Sequence, residues 1–361
     1  MTRFEKANIL LKKHNADCIL ITDSVSARYF SGFVSSNAAL LYSPKERFLL
    51  TDARYKTSAE IFCKNHDWKF IEAKQNEFAQ KLVEVVSKGA NLLFQDNYLP
   101  VSEFEHYKKT VKKGIKFIPC GNDIDEIFYA KTKEETEFIK QAARIADKSF
   151  EEWLPKLRTG MSEFEAARLL DIITLQNGSE KLAFDTIVLF GENCALPHGV
   201  ASRERMLKNG DFILCDFGCS INGFCSDMTR TLCFGEEQDE HRKIYEIVLQ
   251  AQKIGIENVK AGVKVKDIDK IVRDNIKDLG FGDYFKHSTG HSIGLRVHEN
   301  PALNSKNEAV LQSGMFITIE PGIYIPDKIG VRIEDTVQVL ETACEIITNT
   351  TKNFRCITDK Q

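Results

Sequence analysis

GDFILCDFG, residues 210–218, is an apolar run that ends on Asp216, and 104 residues later the chain writes GMFITIEPG, residues 314–322, ending on Glu320. Both copies fit Gly-x-Phe-Ile-x-x-acid-x-Gly, a short apolar run bounded by glycine, which reads as a buried strand with a carboxylate at its tip. The repeat extends outward. Gly160 and Gly178 flank the helical pattern SEFEAARLLDIITLQN, and Gly262 and Gly280 flank VKVKDIDKIVRDNIKDL, with a spacing of 18 in both cases. A long amphipathic helix is expected before each unit, over 133–157 and 237–259, and a histidine, His198 or His298, lies between each unit's helix and the acid that closes it or its partner. Matching landmarks at one period predict a pseudo-twofold α+β domain whose halves share a central cleft.

Upstream, residues 4–120 alternate helical and strand patterns. FEKANILLKKH reads as helix, CILIT as strand, AALLYSPKERFLLTD as a hairpin about Ser43-Pro44, WKFIEA and NLLFQDNYLP as strands, VSEFEHYKKTVKK as helix and IKFIP as a last strand. This is a complete small α/β domain. A polar stretch follows and ends in Thr132-Lys133-Glu134-Glu135, a capping-box pattern that opens a long helix. The expected boundary therefore falls near residue 125, with an N-terminal domain over 1–125 and a second over 126–361.

With 361 residues the chain is long enough for two cores. Its net charge of −3, with both signs mixed along the sequence, offers no basic face to nucleic acid and no acidic tail, so a small or peptidic partner is expected. None of the ten cysteines falls in a CxxC pair, and no apolar run reaches bilayer length. Small buried thiols in a reducing compartment, and hence a soluble cytoplasmic protein without membrane contact, are expected.

The chemistry gathers at four acids. Asp227 lies eleven residues after Asp216, and Glu334 fourteen after Glu320, each pair on apolar strands joined by a glycine-containing turn. One strand-end acid is an ordinary turn cap. Four at repeat-related places are prohibitive to bury without counter-charge, and two divalent cations would balance them. Between the arms, HSTGHSIGLRVHENP supplies His287, His291 and His298.

Asp216, Asp227, His291, Glu320 and Glu334, carried by DFG-x7-SDMTRT, GHSIG-x3-HE, EPGIY and RIED, resemble the five-ligand pattern of the pita-bread dinuclear metallopeptidases. That superfamily includes methionine aminopeptidase, prolidase and aminopeptidase P. The likeness spans about residues 130–345, while SGFVSS and LLTDARY resemble the N-terminal domain of the aminopeptidase P and prolidase branch. The resemblance implies that Asp216 chelates one metal, His291 and Glu320 the other, and that Asp227 and Glu334 bridge. Manganese suits this oxygen-rich set best, with cobalt, iron or zinc as alternatives. It further implies that Glu320 relays a proton, that His198 and His298 stabilise the tetrahedral intermediate and hold substrate, that His287 and Arg332 line the pocket, and that the protein is a homodimer.

Other chemistries fit less well. Cys194 lies four residues before His198, yet no thiolate-stabilising setting is evident. No GxxxxGK[ST] occurs, and GFGDYF lacks the third glycine of a dinucleotide turn. Metal-free relatives that act as binding modules, or as creatinase does, would lack ligands that are all present here. Between aminopeptidase P, which releases the residue before proline from longer peptides, and prolidase, which splits Xaa-Pro dipeptides, Ala302 in HENPAL favours the aminopeptidase, because some prolidases carry arginine there, and SGFVSS also resembles the aminopeptidase side more closely. Phe184, Ile323 and Tyr324 are candidates by position for the wall that accepts the proline ring.

Overall fold

The computed structural model describes residues 1–111, 114–237 and 239–359, and the chain divides into two compact units, Met1–Phe128 and Tyr129–Gln361. The first unit runs α1 (Arg3–Lys13), β1 (Cys18–Ile21), α2 (Ser24–Ser31), β2 (Ala38–Tyr42), β3 (Arg47–Thr51), α3 (Lys56–Asn65), β4 (Lys69–Glu72), α4 (Phe78–Val85), β5 (Asn91–Phe94), α5 (Val101–Thr110) and β6 (Lys116–Pro119). Its strands form one mixed sheet in the order β4-β3-β2-β1-β5-β6. β1 and β2 are buried at every position, as their uninterrupted apolar sequences require of strands covered on both faces. The helices α2, α3 and α4 were not evident from periodicity. α2 is only eight residues long and begins with the Asp23 cap on Ser26 N–H, too short for a 3.6-residue repeat to show. β5 stops at Phe94, short of the expected strand through Pro100, because Tyr98 and Leu99 N–H turn back onto Gln95 O. Lys112 and Lys113 of the expected helix lie outside the described residues.

The second unit continues with α6 (Lys133–Trp153), α7 (Glu163–Gln176), β7 (Lys181–Leu182), β8 (Ile187–Phe190), β9 (Phe212–Phe217), β10 (Cys219–Ile221), β11 (Phe224–Cys225), β12 (Met228–Phe234), α8 (Asp239–Glu257) and α9 (Val265–Asp278). It ends with β13 (Gly290–Ser292), β14 (Glu299–Leu303), β15 (Phe316–Ile319), β16 (Gly322–Ile325), β17 (Ile329–Arg332), β18 (Asp335–Val339), β19 (Cys344–Ile346) and β20 (Cys356–Ile357). The repeat is physical. α7 and α9 are each 14 residues long, β9 pairs antiparallel with β12 in one sheet, and β15 pairs antiparallel with β18 in another. This is the pita-bread architecture that the repeat predicts.

Capping and packing explain the helices. Thr132 and Glu135 exchange side-chain bonds across the first turn of α6, and Ser162 and Glu165 do so for α7, each cap typically worth about 1 kcal/mol. Ala142, Ala146, Phe150 and Trp153 recur on one face of α6 and pack with Val188, Ile213 and Phe217 of β8 and β9. In the other half, Val265 and Ile268 of α9 pack with Ile317, Ile319 and Val337 of β15 and β18. Both acid-bearing strands are thus backed by a helix layer, which fixes their tips. The ten cysteines are free, and among the described residues no helix is long and apolar enough to cross a membrane.

Candidate active site

Each acid stands at the end or edge of a strand whose body is core. Asp216 is the penultimate residue of β9, opposite Ile187 of β8 and Thr229 of β12. Asp227 immediately precedes β12, and its carbonyl accepts from Thr336 Oγ1 of β18 at 2.8 Å. Glu320 follows β15, with its N–H on Thr289 O at 2.8 Å and its Oε1 accepting from Thr318 Oγ1 at 3.1 Å. Glu334 lies between β17 and β18; its N–H donates to Thr229 O at 3.1 Å and its Oε2 accepts from Thr229 Oγ1 at 2.8 Å. The two halves therefore hold one another's acids through Thr229 and Thr336.

His291, on β13, completes the group. Its Nδ1 lies 3.1 Å from Ser292 O, the arrangement that places a proton on Nδ1 and leaves Nε2 free as an acceptor. Nε2 faces Glu320 Oε1 at 3.3 Å and Asp227 Oδ2 at 3.6 Å. Donor atoms of Asp227, His291 and Glu334 all lie within 4.8 Å of one another. Close approach of β13 to β15 depends on Gly290, where an added Cβ would stand 1.9 Å from Thr318 O.

A second chain of contacts runs behind the acids. Arg332 is buried and donates from Nη2 to Asp216 Oδ2 at 2.6 Å, from Nη1 to Tyr324 Oη at 2.9 Å and to Pro197 O at 3.1 Å, and from Nε to Thr229 Oγ1 at 3.0 Å. Tyr324 Oη in turn meets His287 Nε2 at 2.9 Å. Arg332 and His287 are thus joined to the acid cluster through Asp216 and Tyr324, and the guanidinium is spent on protein groups instead of projecting into open space. The ring of His298 lies 4.4 Å from that of His291 between centroids, and His198 is close enough to His287 and His298 to disfavour charge on both.

The electrostatics are unbalanced without cations. Burial, then Glu334, Asp216 and Glu320, push the Asp227 carboxyl well up; burial, then Glu320 and Asp216, do the same to Glu334. Burial also raises Glu320, tempered by His287 and Arg332. Desolvation holds His287, His291 and His298 below the ordinary histidine range, which favours the neutral imidazole that a metal needs. Burial opposes the charge on Arg332, but Tyr324 and Asp216 beside it more than compensate. Asp216 Oδ1 is buried without a hydrogen-bond partner. An orphaned acceptor beside raised carboxyls and a neutral imidazole fits a site that could hold divalent cations with hard-to-borderline preferences.

The remaining candidates separate by place. Phe184 Cε1 would lie 3.0 Å from a Cβ on Gly218, so its ring borders the turn between Asp216 and Asp227. Ile323 is wholly buried in the core with Val331 and Ile333, and Tyr324 is spent on Arg332 and His287, so neither supplies an open apolar wall. Cys194 is fully buried and its thiol is raised by desolvation, the opposite of a nucleophile's setting. Sequence reading missed Thr229, Thr231 and Thr318. In SDMTRT the period of two places Thr229 and Thr231 on the face turned to Glu334 and Arg332, and that alternation was the available signal.

Fold and site together define a pita-bread metallopeptidase with a creatinase-type N-terminal domain. Residues 137–341 match metallopeptidase family M24 and residues 3–127 match the creatinase/prolidase N-terminal domain. The chain belongs to metallopeptidase family M24 and is an enzyme of that hydrolase class. It is 37% identical to an Xaa-Pro dipeptidase of Pyrococcus furiosus, over 98% of this chain and 99% of that protein. The solved structure of an Xaa-Pro dipeptidase from Bacillus anthracis superposes with a TM-score of 0.92 at 37% identity, covering 98% of this chain and 99% of the other. An X-Pro aminopeptidase from Thermotoga maritima gives 0.87 at 35% identity, covering 99% and 100%. Two of these three relatives are named Xaa-Pro dipeptidase and one X-Pro aminopeptidase, so the aminopeptidase expected from Ala302 and SGFVSS is not specifically supported and the dipeptidase alternative fits better.

Proposed function

We propose that this chain is an Xaa-Pro dipeptidase that splits dipeptides with proline in the second position. The observation that carries this reading is the end-to-end likeness to relatives named Xaa-Pro dipeptidase, 98% of this chain against 99% of the Pyrococcus furiosus protein, beside the grouping of Asp227, His291 and Glu334 within 4.8 Å. Ala302 does not oppose it, since a carboxylate-reading cation can come from elsewhere in the assembly. Asp216, Asp227, His291, Glu320 and Glu334 would hold two divalent cations, manganese being the best match to four carboxylates and one imidazole. Bound there, such ions supply an activated water and polarise the scissile carbonyl.

The chain's own groups do the rest. Glu320, at the edge of the cluster with its carboxyl raised by burial, is the candidate proton relay. His298 beside His291, together with His198, would offer N–H groups to an oxyanion and to the substrate backbone. Thr229 and Thr318 orient Glu334 and Glu320, and Arg332 fixes Asp216. Phe184 is the candidate wall for the proline ring. Unpaired cysteines suit a reducing compartment such as the cytoplasm, and the homodimer is what the family resemblance implies.

The test is a comparison of Xaa-Pro dipeptides with Xaa-Pro-Yaa tripeptides on protein stripped by chelator and reloaded with manganese or cobalt. Preferential dipeptide cleavage is expected. Cleavage of tripeptides alone would return the aminopeptidase reading, and no metal-dependent cleavage of either would defeat both.

A further inference from the structure

Glu163 opens α7 and is wholly buried, although acids in the first turn of a helix are usually solvated. Its Oε1 accepts from Phe190 N–H at 2.7 Å and Asn193 Nδ2 at 3.0 Å, and its Oε2 from Ser202 N–H at 2.8 Å. Phe190 and Ser202 bracket residues 191–201, the segment that carries His198, and Asn193 lies within it. Two backbone bonds reinforce the join, Glu163 N–H to Arg205 O at 3.1 Å and Phe164 N–H to Ser202 O at 3.0 Å. On the side of the acid cluster, Pro197 O accepts from Arg332 Nη1 at 3.1 Å, one residue before His198. The middle of the segment is otherwise open, with Leu196 53% and Val200 89% exposed. Burying a carboxylate is costly unless it is fully satisfied, so three converging N–H donors give this acid a reason to be inside.

The second half repeats the device. Asp269, buried on the equivalent helix α9, accepts from Thr289 Oγ1 and from Arg273 Nη2, both at 2.8 Å, and Arg273 donates to Phe285 O at 3.0 Å and His287 O at 2.9 Å. Each half therefore uses buried charge on its own repeat helix to hold the backbone of its histidine segment.

We propose that Glu163 is a positioning residue that acts through His198, clasping the 191–201 segment so that this histidine stands over the acid cluster. The inference rests on the functional reading of His198 given above. In Glu163→Gln one carboxylate oxygen becomes an N–H donor, which must face at least one of the three donors now bound. In the manganese-loaded full-length enzyme, Glu163→Gln is expected to lower kcat/KM at least about tenfold with metal content unchanged, and Asn193→Ala, which removes one donor, to lower it less. His198→Ala should lower it as well, and adding Glu163→Gln to His198→Ala should cost no more than about twofold further, because both act at one point. Should Glu163→Gln not fold, the Asn193→Ala and His198→Ala cycle gives the same reading. Losses that multiply independently, a loss of bound manganese in Glu163→Gln, or an unaffected His198→Ala would each overturn the inference. An unaffected His198→Ala leaves the peptidase reading standing, because the wild-type enzyme is measured on the same substrates.

Discussion

Arg230→Met is expected to destabilise the second unit by about 3 kcal/mol, and the reasoning runs through one buried ion pair. Arg230 and Asp335 are 2% and 0% exposed and meet at 2.8 Å between Nη2 and Oδ1. The guanidinium also donates to Thr350 O at 2.7 Å, to Thr229 O at 3.0 Å and to Glu334 O, so it ties β12 to the start of β18 just where Glu334 must point inward. Removing one member of such a pair ordinarily costs about 3–5 kcal/mol, because a charge and several carbonyls are left buried and unpaired. The lower figure applies here, since Lys352, Gln252 and Thr348 still contact Asp335. For a unit of this size each kcal/mol moves Tm by about 2–4 °C, which gives a fall of about 6–12 °C in a thermal melt of chelator-treated protein. Arg230→Met with Asp335→Leu should cost less than the sum of the two single changes. A fall of less than about 2 °C for Arg230→Met would show that the pair does not lock the two halves together.

Chelator-stripped protein should respond to pH with the sign of its raised carboxyls. Asp227, Glu320 and Glu334 sit above their unfolded values, so the stability they allow is complete below the ordinary carboxylate range and is lost as pH rises through their folded values. The Tm gain on adding manganese should therefore widen as pH rises above the ordinary carboxylate range, and a constant gain in differential scanning fluorimetry would refute this. Asp227→Asn removes one of the mutually repelling acids, so the stripped variant should melt no lower than stripped wild type while losing metal-dependent cleavage; cleavage at the wild-type rate would contradict its assignment. Gly290→Ala forces a Cβ against Thr318 O at 1.9 Å and should cost about 1–3 kcal/mol and weaken manganese binding at neighbouring His291; calorimetric titration showing unchanged affinity would argue against the close packing.

Much of the catalytic unit was legible because its repeat is written in both glycines and acids. GDFILCDFG and GMFITIEPG became β9 and β15 with their carboxylates at the tips, and α7 and α9 fell between their flanking glycines. Cross-half bonds were not legible. Thr229 to Glu334 and Thr336 to Asp227 each join residues more than a hundred positions apart, and hydroxyls on strands look alike whether they face a carboxylate or a neighbour. Glu163 was hidden for a related reason, since an acid after a serine cap reads as a solvated first-turn residue. Arg332 was noticed for its place two residues before Glu334, yet its binding to Asp216 emerges only when β9 and β17 are brought together. The peptide length preference was read from Ala302, a side chain opposite His291 in the β13–β14 pair, and from the short stretch SGFVSS, while whole-chain likeness points the other way.

Metal counting by plasma mass spectrometry, made alongside activity on an Xaa-Pro dipeptide during manganese titration of stripped protein, tests the central claim most directly. The account predicts two manganese ions per chain at saturation, dipeptide cleavage that rises with occupancy, and loss of both in Asp227→Asn. Full cleavage by metal-free protein, or saturation with no manganese bound at the acid cluster, would contradict it.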